Sequence, residues 1–245
     1  MTQFPENEVS VLFNNLIEKI KKKKFLFLFI YLVLVFYLSV PSFLIPVLEY
    51  NEFRITALME QRAIEKCLIY YPHQSWISLK NINPNLAKCI IGLEDGRFFI
   101  HRGIDWYELN KSIRTNQRRK KIARGGSTIT MQLAKNLFLS TDKYVFRKAK
   151  ELLIAFRMKK EISKQAMLEN YLNAIEWGVG IFGAKEASEI YFNKEPDKIN
   201  INECSRMAAV IPSPLLHKPT DNSRYVLRRA ARSRELYSDV ILPEL

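Results

Sequence analysis

The sequence predicts a mainly α-helical domain that follows one N-terminal transmembrane helix. Two observations carry this prediction. A long uncharged segment directly follows four lysines, and the rest of the chain repeats apolar residues at helical spacing without any run of alternating strands. Because the chain has 245 residues, about 200 remain after this segment, enough for one domain with its own core.

The uncharged segment is predicted to cross a membrane. It spans Phe25–Leu48, follows Lys21–Lys24, and would extend about 36 Å as a helix, more than a hydrocarbon layer of about 30 Å. It shows neither the polar stripe of a core helix nor the small-x-small cleavage site of a signal peptide. Two prolines near its end are expected to kink it. Because the lysines keep the N-terminus inside, we expect residues 1–24 to form a cytoplasmic basic tail and residues 49–245 an extracytoplasmic domain.

The helices of this outer domain are predicted from capping residues and apolar spacing. Asn83 followed by Pro84 is a start signal, Ser127 and Thr128 stand in capping position, and Ser163 can cap a further helix. The predicted helical segments are, in chain order, 49–70, 83–95, 129–138 after the Gly-Gly break and its caps, 142–161, 164–175, 184–192 and 201–211.

The charge balance points to an anionic partner. The formal net charge is +13, and residues 1–48 carry only +2 of it, so the outer part keeps +11. Such an excess suits phospholipid headgroups, a phosphorylated substrate or nucleic acid. Nucleic acid is the least expected of these outside the cytoplasm, and the basic stretch 111–124 lacks interleaved aromatic residues. We predict that this stretch is a mobile loop after a short helix.

The cysteines and short motifs do not predict a zinc site or a dinucleotide-binding site. Cys67, Cys89 and Cys204 contain no C-x-x-C pair, which argues against a zinc ribbon. One disulfide is compatible with an oxidising compartment, but the spacing does not give its pairing. The segment Gly178–Gly183 matches G-x-G-x-x-G, yet it follows a predicted helix rather than a strand, so dinucleotide binding is not predicted.

Candidate chemistry is concentrated in four stretches. Taken singly, Glu94 and Asp95 can simply end a helix. Arg147 and Glu151 are four residues apart and can form an ordinary helix ion pair. For an isolated acid, such a structural role is the more frequent one. The four stretches are EDGRFFIHRGIDW, RGGSTITMQLAKNLFL, RKAKELLIAFRMKKEISKQAMLENYLN and GVGIFGAKEASEIYFNK.

Together, and in this order, the four stretches closely resemble the motifs of the family 51 peptidoglycan glycosyltransferases, over about residues 76–235. Two positions depart from the family pattern. Met131 stands where the family usually has the first of two glutamines, and Gly96 replaces a larger, often basic residue. The matching residues are Glu94, Asp95, Phe98, His101 and Gly103; Gly126–Thr130, Gln132, Lys135 and Asn136; Arg147, Lys148 and Glu151; and Leu168, Glu169, Tyr171–Asn173, Gly183, Ala187, Tyr191 and Phe192.

The resemblance implies a lysozyme-like, mainly α glycosyltransferase domain with a second lobe against the membrane. It implies polymerisation of lipid II into glycan strands by inverting transfer, with a β-1,4 linkage and undecaprenyl pyrophosphate as the leaving group. A chain that ends at Leu245 without a K-T-G motif is expected to lack a transpeptidase domain. The expected location is the bacterial inner membrane, in a single pass.

The implied partners are lipid II, the growing strand, membrane lipid and other cell-wall synthesis and division proteins, without nucleic acid. No cofactor is expected to be required, and no metal ligands are predicted. Stimulation by Mg²⁺ or Mn²⁺ is compatible with the resemblance.

Two carboxylates are predicted to be catalytic. Glu94 lies beside Leu93 and close to Phe98, and an apolar setting raises a carboxyl pKa towards that of a general base. The resemblance implies that Lys135, Arg147 and Lys150 bind the leaving pyrophosphate. Glu151 is then expected to orient these basic residues or to assist at the pyrophosphate. Asp95, His101 and Asp105 are expected to shape the cleft. The predicted substrate-binding residues are Ser127, Thr128, Gln132, Lys135, Arg147 and Lys150.

Two other functions remain open at this point. A lytic enzyme on a similar fold would cleave peptidoglycan, but it needs one acid and no cradle for pyrophosphate. A membrane-tethered scaffold of the wall-building machinery would need neither Glu94 nor Glu151.

Overall fold

The computed structural model describes residues 6–50, 52, 55–65, 74–101, 103–120, 125–142 and 144–243. The chain divides into two compact units, Met1–Pro41 and Ser42–Leu245.

The first unit contains helix α1, Glu6–Leu38. The predicted helix over 25–48 is therefore wrong at its C-terminal end, since beyond Leu38 the chain turns and residues 46–49 form a 3₁₀ helix. Pro41 explains the difference, because the residue before a proline is disfavoured in the helical region. Among the described residues, no helix combines the length and the apolar character needed to cross a membrane.

The second unit is mainly α-helical, as predicted. One antiparallel hairpin joins β1, Glu176–Gly178, to β2, Ile181–Phe182. The helices are α2 (Ala57–Glu65), α3 (Pro84–Glu94), α4 (Trp106–Arg119), α5 (Ile129–Phe138), α6 (Val145–Glu161), α7 (Lys164–Ala174), α8 (Ala184–Phe192), α9 (Ile201–Val210) and α10 (Arg224–Leu236).

The predicted capping residues begin three of these helices. The side chains of Asn83, Thr128 and Ser163 each accept a first-turn backbone N–H, at 2.9, 3.2 and 3.1 Å respectively. Each bond satisfies one of the N–H groups that a helix start leaves without an intrahelical partner. The starts of α3, α5 and α7 are thus fixed by local sequence.

The basic stretch 111–124 was predicted as a loop, and this is wrong for residues 111–119, which belong to α4. Asp105 caps the helix by accepting the Glu108 N–H at 3.0 Å. Arg118 and Arg119 lie in its last turn, where positive charge favours the helix dipole. Residues 121–124 lie outside the described residues.

Two further predictions need correction. The helix predicted over 49–70 is confined to α2 within the described residues, and residues 66–73 lie outside them. Helix α10 was not predicted, because its basic residues obscure a short buried face that includes Val226 and Ala230.

The core has two packed groups of helices. Helices α3, α9 and α10 pack against one another, while α5 packs against α2, α6 and α7. Ile129, Leu133 and Leu137 form the buried face predicted for α5. This central position lets α5 present other side chains to the ends of α3 and α6.

The glycine motif at Gly178–Gly183 forms the hairpin, where close packing requires small residues. A Cβ on Gly178 would lie 2.3 Å from the Tyr191 hydroxyl, which donates to the Trp177 carbonyl at 3.0 Å. Tight packing therefore accounts for this motif.

Two of the three cysteines are described. Cys89 and Cys204 are buried free thiols, and burial raises the pKa of each. Cys67 lies outside the described residues.

Candidate active site

Glu94 is the last residue of α3 and holds its carboxylate between two donors. The Arg229 guanidinium donates to Oε1 at 2.9 Å, and the Gln132 side-chain amide donates to Oε2 at 3.0 Å. The Glu94 side chain is 12% exposed. The carboxylate is thus fixed in direction while retaining a small opening to solvent.

Burial raises the pKa of Glu94 above its ordinary value, because desolvation disfavours the charged form. The Gln132 bond and the Arg229 charge act against this rise, and the nearby Asp95 adds to it. A carboxylate with a raised pKa is a stronger base than an exposed one. The predicted environment for a general base at Glu94 is therefore present.

Tyr171 sets the orientation of the Gln132 amide. Its hydroxyl donates to Gln132 Oε1 at 2.9 Å, which leaves the amide N–H to face Glu94. Tyr171 is fully buried, and desolvation together with the charges of Glu94 and Asp95 raises its pKa well above the ordinary value. The phenol therefore stays a neutral donor at physiological pH.

Asp95 joins the end of α3 to the start of α5. Its two carboxylate oxygens lie 2.8 and 2.9 Å from His101 Nε2, and one of them accepts the Ile129 N–H at 3.0 Å. A carboxylate at a helix N-terminus is also favoured by the helix dipole. Asp95 thus fixes the start of α5 beside Glu94, and His101 holds the Asp95 carboxylate.

Glu151 on α6 is the centre of a second site. Its carboxylate accepts from Arg147 Nη1 at 2.7 Å and also from the Lys148 ammonium. The Arg147 guanidinium additionally donates through Nε to the Asp142 carbonyl. Arg147 and Glu151 are 9% and 2% exposed, so their pair is a buried one.

Lys135 adds a third positive charge to this site. Burial lowers its pKa, and the charge of Glu151 raises it again in part. Lys148 also donates to the Ser127 hydroxyl at 3.0 Å, which connects the site to the segment before α5. Arg147, Lys148 and Lys135 together outnumber the single carboxylate and leave a net positive region.

Helix α5 connects the two carboxylate sites. Gln132 contacts Glu94, while Lys135 interacts electrostatically with Glu151. Residues three apart on a helix lie on one face, about 5–6 Å between Cβ atoms. Neighbouring side chains on one face of α5 thus interact with both predicted catalytic residues, Glu94 and Glu151.

Some predicted site residues have other positions than expected. Thr128 is buried, and its hydroxyl donates to the Gly103 carbonyl at 2.7 Å while capping α5. Lys150 precedes Glu151 directly, and neighbouring helix residues do not face each other. Lys148 contacts Glu151 at the i,i+3 spacing, and substrate binding by Lys150 stays a prediction.

The two departures from the family pattern also have clear positions. Met131 is 1% exposed and packs with Ile104 and Ala155, so its side chain belongs to the core. Gly96 is exposed, and a Cβ there would approach nothing closer than 3.9 Å. Both positions thus differ from the family without removing a contact to either carboxylate.

Arg229 was missed by sequence reasoning. It lies 135 residues from Glu94 in the chain, on a helix that was not predicted. No local spacing links these two residues.

Within the described residues, no group of three His, Cys, Asp or Glu side chains is placed to hold a metal ion.

Comparison with known proteins identifies similar chains. Residues 60–236 match a family model described as Transglycosylase. A biosynthetic peptidoglycan transglycosylase of Herminiimonas arsenicoxydans is 40% identical over 154 residues, which cover 63% of this chain and 67% of the relative. Proteins of the same name from Methylobacillus flagellatus and Thiobacillus denitrificans are 38% and 36% identical, over 69% and 78% of this chain and 74% and 82% of theirs. The family match includes both carboxylate sites.

Proposed function

This chain belongs to the transglycosylase family, and on that premise we propose that it is a peptidoglycan glycosyltransferase that polymerises lipid II. One observation carries the proposal. One face of α5 interacts with two different carboxylates. Glu94 is buried and has a raised pKa, and Glu151 lies among three cations. Such a pair suits a reaction in which an alcohol attacks and a pyrophosphate leaves.

Glu94 is the general base of the proposed reaction. The 4-hydroxyl of an acceptor sugar attacks the anomeric carbon of the donor, and its proton passes to the Glu94 carboxylate. Attack opposite the leaving group inverts the α-linkage to a β-1,4 linkage. The raised pKa supports this role because it strengthens the base near neutral pH.

Positive charge assists the leaving group. The bond from the anomeric carbon to pyrophosphate breaks, and the electron pair stays with undecaprenyl pyrophosphate. This product is a stabilised anion, so it needs charge neutralisation more than it needs a proton. Lys135, Arg147 and Lys148 supply that charge, while Glu151 holds Arg147 and Lys148 in place.

The cationic site also separates this proposal from a lytic enzyme. Cleavage of an existing glycan strand releases a sugar hydroxyl, which gains little from a group of cations. A scaffold, in turn, would not need a buried carboxylate with a raised pKa. The two carboxylate sites therefore favour synthesis over both alternatives.

A membrane location accompanies the proposal, since an enzyme of peptidoglycan synthesis works in the cell envelope. On α1, the described apolar residues from Phe25 to Leu38 are mostly more than half exposed. In the second unit, Trp106 on α4 and Phe156 on α6 are exposed apolar residues with ring centroids 6.3 Å apart. We propose that both regions meet lipid, with the N-terminus inside.

A direct assay tests the function. The purified chain is incubated with labelled lipid II, and the products are separated by size. Glycan polymer with release of undecaprenyl pyrophosphate is expected. Cleavage of preformed peptidoglycan, or no reaction with either substrate, would refute the proposal.

The topology has a test of its own. A reporter that is active only outside the cytoplasm is fused after Leu245. We expect activity from this fusion and none from the same reporter placed before the N-terminus. The reverse pattern would contradict the proposed substrate side.

A further inference from the structure

Lys164 is a buried cation outside the two carboxylate sites. It is the first residue of α7, and its ammonium lies 4.1 Å from the centre of the Phe98 ring. The ammonium nitrogen is buried and has no hydrogen-bond partner among the described residues. We propose that Lys164 is a positioning residue for the transfer reaction, which acts on Glu94 through Phe98 and Asp95. This inference rests on the proposed function.

Packing alone does not explain a lysine at this position. Burial removes the ammonium from water and lowers the pKa of Lys164 to about 8, while the charge of Asp95 raises that pKa in part. A cation at the N-terminus of a helix is also opposed by the helix dipole. Methionine would fill a similar volume without either cost. The charge therefore lowers the stability of the fold at this position, which points to a role beyond packing.

The face of Phe98 is the direct contact of the ammonium. Aromatic faces attract cations, most strongly where water is excluded, and Phe98 is fully buried. The same ring makes edge contacts with Phe99 and His101, at centroid distances of 4.9 and 6.4 Å. Lys164 thus joins the start of α7 to the aromatic residues of the turn that follows α3.

This turn begins at Asp95, directly after Glu94. The Phe98 N–H donates to the Asp95 carbonyl at 2.8 Å, so the ring and the carboxylates belong to one short backbone segment. The ammonium also attracts the Asp95 carboxylate, which accepts the Ile129 N–H at 3.0 Å. Lys164 therefore acts on the direction of Glu94 by two connections, one through the Phe98 ring and one through the charge of Asp95.

Asp95 is the charge that acts most strongly on Lys164. Other titratable groups on the neighbouring elements already have partners. Glu49, on the 3₁₀ helix, accepts the N–H of the α7 capping residue at 2.6 Å. Glu161, at the end of α6, is paired with an arginine of its own helix, and His101 contacts the Asp95 carboxylate. Loss of the proton from Lys164 is therefore expected to act mainly on the turn at Asp95.

Lys164→Met tests the role, because it keeps the length of the side chain and removes its charge. We expect kcat for lipid II polymerisation to fall at least about tenfold with an unchanged KM, since the proposed action is on Glu94 and not on substrate binding. The midpoint of urea unfolding should be unchanged or higher. Lys198→Met, at an exposed position, should change neither quantity. Normal kcat in Lys164→Met, or a joint loss of kcat and stability, would overturn the proposal.

The pH dependence is a readout that a purely structural role would not move. The ammonium is the active form, so kcat of the wild-type chain should fall as the pH rises through about 8, where Lys164 loses its proton. Lys164→Met has no proton to lose there and should show no such fall. The same fall in the variant would assign it to another group and contradict the role of Lys164.

A double-mutant cycle tests the connection through Asp95 without using the reaction. Free energies of unfolding are measured for Lys164→Met, Asp95→Asn and the double variant. Because neutral asparagine no longer attracts the ammonium, Lys164→Met should be more stabilising in the Asp95→Asn chain than in the wild-type chain. Additive effects would contradict action through Asp95. Polymerisation by the wild-type chain is measured alongside, so failure of the proposed reaction is recognised separately.

Discussion

The sites around Glu94 and Glu151 place the same side chain in opposite surroundings. Glu94 has one arginine and one neutral amide as partners and keeps a 12% exposed side chain, and burial raises its pKa. Glu151 has an arginine and a lysine as direct partners, and its side chain is 3% exposed. One carboxylate is thus weakly compensated, and the other has more positive charge around it than it can neutralise.

This difference separates the two proposed roles. A base must exchange a proton during turnover, which requires access and a pKa above the ordinary value. A carboxylate with two cationic partners serves to orient them. The geometry therefore favours Glu94 as the group that reacts and Glu151 as the group that positions cations for the leaving pyrophosphate.

The largest expected effect is that of Glu94→Gln. The amide has nearly the same shape, and its oxygen can still accept from Arg229, but its nitrogen accepts neither the Gln132 N–H nor a proton. Polymerisation of labelled lipid II should fall by about 10²–10⁴-fold. Circular dichroism should show an unchanged fold, and Glu235→Gln, at an exposed position of α10, should be fully active. Near-normal turnover of the variant would remove Glu94 from the chemistry.

Glu151→Gln should reduce both stability and activity. The substitution leaves Arg147 buried without its anionic partner, and breaking a buried pair costs about 3–5 kcal/mol. Chemical denaturation measures this loss. Glu161→Gln changes a more exposed acid on the same helix, paired with Arg157 at the same spacing, and should cost under about 1 kcal/mol. Equal losses in the two variants would mean that burial of Glu151 does not matter.

Arg147→Lys tests whether Arg147 binds the leaving pyrophosphate. Lysine keeps the charge but cannot donate to both Asp142 and Glu151 as the guanidinium does, so we expect polymerisation to fall about tenfold or more. Arg147→Ala should fall further. Arg157→Lys on the same helix, which also has an i,i+4 glutamate, should remain active. Unchanged polymerisation in Arg147→Lys with slightly lower stability would exclude a role at the pyrophosphate.

The smallest expected effect is a change in pH dependence from Arg229→Gln. The positive charge of Arg229 lowers the pKa of Glu94, so its removal should raise that pKa further. Because the base acts when ionised, the acidic limb of the pH–rate profile for polymerisation should move to higher pH. Arg232 on the same helix is 60% exposed, and Arg232→Gln should leave the acidic limb of the pH–rate profile unchanged. A shift towards lower pH would contradict the assignment of Glu94 as base.

Local sequence predicted most of the fold and part of the site. Asn83, Thr128 and Ser163 were recognised as caps because a cap depends on residues only a few positions away. The end of α1 before Pro41 was not predicted because hydropathy alone was given more weight than the proline. Glu94 was found through its motif, which lies within one continuous stretch.

Other contacts were beyond local reasoning. The contact from Arg229 to Glu94 depends on how α10 packs against α3 and α9, which no spacing encodes. The contact from Lys148 to Glu151 was available from helix periodicity, since Lys148 stands one turn before Glu151.

Helix α5 determines the distance between the Glu94 site and the Glu151 site. Its Gln132 and Lys135 are separated by three residues, a rise of about 4.5 Å, and the buried Met131 resists rotation of the helix. Inserting or deleting one residue between Gln132 and Lys135 would turn one of them by about 100° away from its carboxylate. We therefore expect the length of this segment to be invariant.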